Sequence, residues 1–128
     1  MEYGFSKTLD VSYETAIERV TEELKKEGFG ILTQIDVKAT LKEKLDVDFR
    51  KYIILGACNP PFAYQSLQAE REIGLLLPCN VIVYEDDSGK TVVSAIDPVA
   101  AMSMIDNPKL REIATQVADK LKKVVDSL

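Results

Sequence analysis

Two apolar runs separated by a short polar turn lie in the second half of the chain and limit the folds available to it. The runs are 79–85 and 90–96, and an Asp-Asp-Ser-Gly turn occupies 86–89 between them. A turn of this composition between two apolar runs predicts a β-hairpin. Because a hairpin pairs its strands antiparallel, a doubly wound sheet built from regular crossovers is disfavoured.

The remaining hydrophobic patterns complete the predicted fold. The run 51–58 is apolar on both faces and is therefore predicted to be a central strand. Strands are predicted at 2–9, 29–35, 51–58, 79–85 and 90–96, and helices at 13–27, 37–45, 61–73, 99–105 and 108–127. We expect a single domain, residues 1–128, with an α+β fold: a two-layer sandwich whose mixed, mostly antiparallel sheet of about five strands carries helices on one face.

An Asn or Asp followed by proline recurs three times where a helix is predicted to begin. The three pairs are Asn59-Pro60, Asp97-Pro98 and Asn107-Pro108. Short polar side chains accept hydrogen bonds from the first helical turn, and proline is tolerated there because its missing N–H is not needed. Each pair therefore predicts an N-cap and the start of a helix.

Histidine is absent from the chain. This absence excludes Ser-His-Asp and Cys-His nucleophilic catalysis, and it excludes histidine-based zinc and iron sites. Any general acid or base must be Asp, Glu, Lys, Tyr or Cys. No dinucleotide or phosphate-loop fingerprint is present.

The charge and hydropathy patterns bound the partners and the location. The net charge is −5 and no run of Lys or Arg forms a basic patch, so nucleic acid and anionic membrane surfaces are not expected partners. The beginning of the sequence lacks a basic and an apolar signal-peptide region, and no stretch approaches the length of a membrane span. We therefore expect a cytoplasmic protein whose thiols stay reduced.

The two cysteines, Cys58 and Cys79, lie at strand ends beside proline. One interpretation is a paired thiol site for redox chemistry, persulfide handling or a soft metal, and a helix that begins just after Cys58 would lower its pKa. The other interpretation is two small buried hydrophobic residues, which is common for free cysteine. Thioethers of Met102 and Met104 are the only evident further soft ligands. Two cysteines do not complete a zinc site, so no metal is expected.

A resemblance to a known family rests on three motifs. They are Gly56-Ala57-Cys58-Asn59-Pro60, the strand from Leu77-Pro78-Cys79 to Glu85, and Asp97-Pro98. With these motifs the chain resembles, over nearly its whole length, the bacterial and archaeal domain-of-unknown-function family 302. The resemblance implies a compact α+β fold and a dimer, and it brings no assigned reaction and no catalytic residues.

Three functions are compatible with these observations. The first is a homodimeric module that binds a small molecule or a sulfur compound without a cofactor. The second is a thiol-dependent enzyme or sulfur carrier that uses Cys58 or Cys79, and the third is a purely structural interaction module. The candidate ligand-binding residues cluster at three proline-containing turns and are Cys58, Asn59, Pro60, Phe62, Pro78, Cys79, Asp97 and Met102.

Overall fold

A computed structural model describes residues 2–128 and confirms the predicted α+β two-layer sandwich. The strands are β1 (Gly4–Leu9), β2 (Gly30–Asp36), β3 (Tyr52–Cys58), β4 (Cys79–Glu85) and β5 (Thr91–Ile96). The helices are α1 (Tyr13–Lys26), α2 (Val37–Leu45), α3 (Pro60–Ala69), α4 (Pro98–Ala101) and α5 (Pro108–Asp126), and a 3₁₀ helix covers Arg71–Leu76.

The five strands form one sheet in the order β1-β5-β4-β3-β2, and all four pairings are antiparallel. The predicted hairpin is β4–β5, with Val83 opposite Val93. β4 occupies the middle of the sheet, and β3 lies beside it rather than at the centre. Both strands have neighbours on either side, which is why both consist largely of apolar residues.

The helices α1, α3 and α5 cover one face of the sheet. Side chains alternate across each strand, so every second residue points at this layer. α1 contributes Ala16, Val20 and Leu24, and α5 contributes its buried stripe from Ile113 to Val125. The sheet supplies the apolar residues Leu9, Ile53, Leu55, Ala57, Cys79, Val81, Val83, Val93 and Ala95.

The face of the sheet opposite α1, α3 and α5 we call the open sheet face. Tyr52 and Tyr84 stack on it with ring centres 5.3 Å apart, and the hydroxyls of Ser6 and Ser94 are hydrogen-bonded at 2.9 Å. The strand positions on this face are Gly4, Ser6, Thr8, Thr33, Ile35, Tyr52, Ile54, Gly56, Asn80, Ile82, Tyr84, Val92 and Ser94.

Two helices are shorter than the sequence predicts. α3 ends at Ala69 instead of residue 73, because Glu70 is extended and the Asn107 amide donates a hydrogen bond to the Ala69 carbonyl at 2.8 Å. The chain then continues as the 3₁₀ helix. α4 is a single turn that ends at Ala101 rather than at residue 105, and the Ser103 hydroxyl donates a hydrogen bond to the Ala100 carbonyl.

Candidate functional site

A cavity of about 340 Å³ lies at one end of the sheet, beneath the helix layer. Its wall is formed by the ends of β2 and β3, the inner side of α3, the segment before β4, α4 and the middle of α5. Leu32 and Leu67 line it and are also exposed, so the cavity opens between β2 and α3. Its floor is formed by buried residues such as Ala57, Ile113 and Ala114.

The cavity marks the boundary between two hydrophobic clusters. The larger cluster joins the sheet, α1 and α5. The smaller cluster consists of Ile73, Met102, Leu110 and Ala114, with Leu76, Leu77 and Ile105 packed against it. Ala57 and Cys79 from the first cluster and Met102 and Ala114 from the second face the same space. The cavity therefore exists because two separately packed clusters meet without filling the space between them.

Six of the eight residues predicted to bind a ligand line this cavity. They are Cys58, Asn59, Phe62, Pro78, Cys79 and Met102. Pro60 is exposed in the first turn of α3 and does not line it. Asp97 does not line it either, because its carboxylate is turned to the backbone N–H of Val99, which it caps at 3.0 Å. The next residue, Pro98, lines the cavity instead of Asp97.

Asn59 lines the cavity, and its side chain also forms a hydrogen bond with the end of α1. Asn59 occupies the N-cap position of α3, as the sequence predicts, but its side chain makes no cap hydrogen bond there. Its amide instead donates to the Glu27 carbonyl at the end of α1, at 3.0 Å. A Cβ at Gly28 would approach the Asn59 amide nitrogen to 3.1 Å, and Gly28 has a positive φ of 87°, so glycine suits this contact. Asn59 thus joins the end of α1 to the start of α3.

The two cysteines are unlike in their surroundings. Cys79 pairs with Ala57 across the sheet and is buried, whereas Cys58 is half-buried, and both are free thiols. Burial, reinforced by the neighbouring Cys58, raises the pKa of the Cys79 thiol to about 11. Cys79 therefore remains protonated at neutral pH and is a poor nucleophile. This leaves Cys58 as the more reactive thiol of the two.

The lining of the cavity contains no charged side chain. Its polar groups are few, and the Ser66 hydroxyl already donates to the Phe62 carbonyl at 2.8 Å. An uncharged ligand fits this lining, since an unpaired charge in an apolar site costs several kcal/mol in order of magnitude. The sequence does not single out five further residues of α3 and α5 that line the cavity, which are Ala63, Ser66, Ile113, Ala114 and Val117. These positions belong to apolar helical stripes, which sequence alone assigns to the core.

Gly56 shapes the β3 end of the site. A Cβ at this position would overlap the Thr33 hydroxyl and would lie 2.8 Å from Cγ of Pro78. Only glycine allows β2 and the segment before β4 to approach β3 this closely. The glycine of the Gly-x-Cys-Asn-Pro motif therefore has a packing role.

Two absences within residues 2–128 limit the kinds of site that this part of the chain can form. Within that range no group of three or more His, Cys, Asp or Glu side chains is placed to hold a metal ion. In the same part of the chain, no helix combines the length and the apolar character needed to cross a membrane.

The chain belongs to the family described as Domain of unknown function DUF302, whose model matches residues 5–128. The crystal structure of an uncharacterized conserved DUF302 protein from Bacillus stearothermophilus superposes with a TM-score of 0.91 at 33% identity, and 98% of each chain is covered. The chain is therefore similar to this protein in sequence and in fold.

Two curated relatives are proteins named fluoride-specific ion channel FluC 1, from Brucella suis biovar 1 and Brucella abortus biovar 1. Each is 37% identical to this chain over 83 residues, which is 64% of this chain. The matched segment covers 32% and 30% of the two relatives, so this chain corresponds to less than a third of their length.

Proposed function

We propose that this domain is a binding module for a small, uncharged, largely apolar molecule, with sulfur compounds as the favoured class, and that it works as a cytoplasmic homodimer. One observation carries the proposal: a cavity of about 340 Å³ has both thiols in its wall and no charged side chain. Apolar pockets with a few polar groups are typical of ligand sites. The thiols favour a sulfur-containing ligand, because thioethers and thiols are soft and polarisable partners.

The geometry favours binding over catalysis. A protonated Cys79 and an uncharged lining offer neither a general base nor a group that would stabilise developing charge. The segment of the Brucella proteins that matches this chain lies within longer polypeptides, which supports a modular role. Cys58 favours one alternative, a thiol-dependent reaction, because it is half-buried in the cavity wall immediately before α3.

The test of the binding function uses the purified chain and a panel of uncharged thiols, thioethers and disulfides. We expect members of the panel to raise the melting temperature, because a ligand that binds only the folded state stabilises it. Ala63→Phe fills the cavity from α3 and is expected to abolish the shift, whereas Ala39→Phe, at an exposed position of α2, keeps it. The absence of any shift, together with native mass spectra free of a co-purified ligand, would overturn the proposal.

The catalytic alternative has a separate readout. If Cys58 is a nucleophile, Cys58→Ser abolishes turnover of an activated thioester, and a stoichiometric covalent adduct appears on Cys58 in the unmodified chain. If Cys58 is only part of the wall, neither chain turns over the thioester, and a bound panel ligand protects Cys58 from alkylation.

The open sheet face supports the homodimer. It carries tyrosine, isoleucine, valine, serine and threonine and no charged residue, although 29% of the chain is charged. The solvated face of an antiparallel sheet normally carries polar and charged side chains. Two copies, each with a net charge of −5, repel one another unless the surfaces that meet are uncharged. A second copy therefore fits this face better than a charged partner does.

The size of the open sheet face agrees with a dimer. From the spacing and length of the strands, the open sheet face has an area on the order of 500 Å² per copy, without the additional area of protruding side chains. Two such faces approach the roughly 1,000 Å² in total that a specific interface requires. Light scattering after size exclusion is expected to give twice the mass of the chain. A monomer at micromolar concentration would overturn this part of the proposal, and so would retention of a different protein on the face.

A further inference from the structure

A second cavity, of about 270 Å³, lies directly behind the first. Five residues line both cavities: Leu77, Pro78, Cys79, Pro98 and Met102. Because these five residues border both spaces, they form the partition between the two cavities.

The two cavities open at different places. The first has the exposed Leu32 and Leu67 at its rim, with 68% and 45% of their surface accessible. The second has Leu75 at its rim, which is 84% exposed, together with the exposed Asn80. Removal of the partition would therefore produce a channel with two mouths.

Met102 is the movable member of the partition. The two prolines have no side-chain freedom of this kind, Cys79 is short and held in a strand, and Leu77 is branched and packed against the smaller cluster. Methionine is unbranched and adapts its shape readily. Met102 is 5% exposed, lies just after the single turn of α4, and packs in the smaller of the two hydrophobic clusters. No residue of that cluster belongs to a strand of the sheet.

We propose that the ligand is a linear aliphatic chain with an uncharged end group, and that it passes from the first cavity into the second beside Met102. This inference rests on the proposed function and specifies its ligand class. The linings of both cavities contain no charged side chain, so a carboxylate end would have no partner there. A dry apolar cavity of about 150 Å³ accepts benzene, and the first cavity alone is more than twice that volume.

The test measures binding of n-alkanols from hexanol to tetradecanol by calorimetry and by melting temperature. Each added methylene is expected to tighten binding about three- to fourfold while it is buried, and this gain continues past the length that fills the first cavity. Octanoate is expected to bind at least tenfold more weakly than octanol at neutral pH. Equal binding of octanol and octanoate would overturn the proposal.

The role of Met102 in the partition is tested by comparing the same substitution at Met102 and at the exposed Met104. Met102→Phe is expected to stop the gain at a shorter alcohol, because the stiff ring closes the partition. Met104→Phe is expected to leave the series unchanged, since Met104 is 80% exposed and lines neither cavity. Met102→Leu has a similar volume and is expected to keep the fold even if Met102→Phe does not. In Met102→Leu, the gain in affinity is expected to end at a slightly shorter alcohol.

The outcomes separate this inference from the function on which it rests. If compact ligands such as toluene or cyclohexanol bind and the linear series stops at the same length in all variants, the chain channel is wrong and the binding module stands. If neither compact nor linear probes bind, the chain channel is wrong, and the binding module is wrong as well if the panel of thiols, thioethers and disulfides also fails to raise the melting temperature.

Discussion

Asn59 and Gly56 both act through contacts with residues that are distant from them in the sequence. Both belong to the Gly-x-Cys-Asn-Pro motif, and both lie at the candidate site. The sequence predicts Asn59 as a local cap, but its amide reaches Glu27, 32 positions earlier in the chain. The chemistry of an asparagine amide is evident from the sequence, whereas its partner depends on which helix end lies nearby.

Gly56→Ala is expected to destabilise the protein by about 1–3 kcal/mol, because the added Cβ would overlap the Thr33 hydroxyl and approach Pro78. Gly30→Ala is the matched control: nothing lies within 4 Å of a Cβ there, and it is expected to change stability by less than about 0.5 kcal/mol. Urea unfolding of both variants measures the difference. Equal midpoints for the two variants would contradict the packing role, and Thr33→Ala is expected to restore part of the loss in Gly56→Ala.

Cys79 is expected to make the fold sensitive to alkaline pH. Its pKa is raised from the ordinary 9.0 to about 11, mainly by burial. A raised pKa means that the folded protein holds this proton more tightly than the unfolded chain does. The corresponding stability is complete below pH 9 and is lost as the pH rises towards 11. Its size is about 2–3 kcal/mol.

The measurement is the free energy of unfolding in urea at pH 8 and at pH 10.5. The unmodified chain is expected to lose more stability between these values than Cys79→Ala does. Tyr13, whose pKa burial raises to about 12, contributes equally to both chains and cancels in the comparison. Cys58→Ala is the control and is expected to keep most of the loss, since burial of Cys79 remains. An identical loss in Cys79→Ala would rule out the thiol as the cause.

Among the secondary-structure elements, the end of α3 shows most clearly how one helix is terminated by another. The apolar stripe of α3 continues in the sequence to Ile73, and nothing local stops it at Ala69. The Asn107 side chain caps α5 by accepting from the Leu110 N–H at 3.2 Å, and it also donates to the Ala69 carbonyl. One asparagine therefore sets the beginning of α5 and the end of α3.

The two roles of Asn107 can be separated by substitution. Asn107→Ser keeps a first-turn acceptor but removes the amide donor, and it is expected to cost about 1 kcal/mol. Asn107→Ala removes both and is expected to cost about 1 kcal/mol more. Ser12→Ala removes the cap of α1 together with the hydrogen bond to the Thr15 hydroxyl, and it gives an upper value for the contribution of a cap. If Asn107→Ser unfolds at the same urea concentration as the unmodified chain, the bond to Ala69 contributes no stability.

For the assembly, the open sheet face predicts a melting temperature that rises with protein concentration, because dissociation of a dimer on unfolding couples stability to concentration. Tyr84→Asp places a charge on the middle strand of the face and is expected to yield a monomer whose melting temperature is independent of concentration. Tyr64→Asp is the control, since Tyr64 is exposed on α3 and lies on the opposite layer. Circular dichroism of Tyr84→Asp shows whether the chain is still folded, so that dissociation is distinguished from unfolding. A Tyr84→Asp chain that remains dimeric would place the interface elsewhere.

The class of fold and its elements follow from local patterns in the sequence. Alternating and continuous apolar runs identified all five strands, and capping residues placed the helix starts at Ser12, Asp36 and Asn107. The Asp-Asp-Ser-Gly turn identified the hairpin. These features act through neighbours in the chain, and for that reason they can be recognised without a structure.

The candidate site depends on contacts between residues distant in the sequence. Sequence placed Cys58, Asn59, Phe62, Pro78, Cys79 and Met102 at strand and helix ends, but only the strand order β4-β3-β2 brings those ends together around one cavity. The cavity itself is the space left where two hydrophobic clusters meet, and its volume depends on how both pack. The uncharged open face likewise emerges only when five strands are set side by side. Local propensity therefore determined the elements of this protein, while long-range packing alone decided where its cavities and its uncovered surface lie.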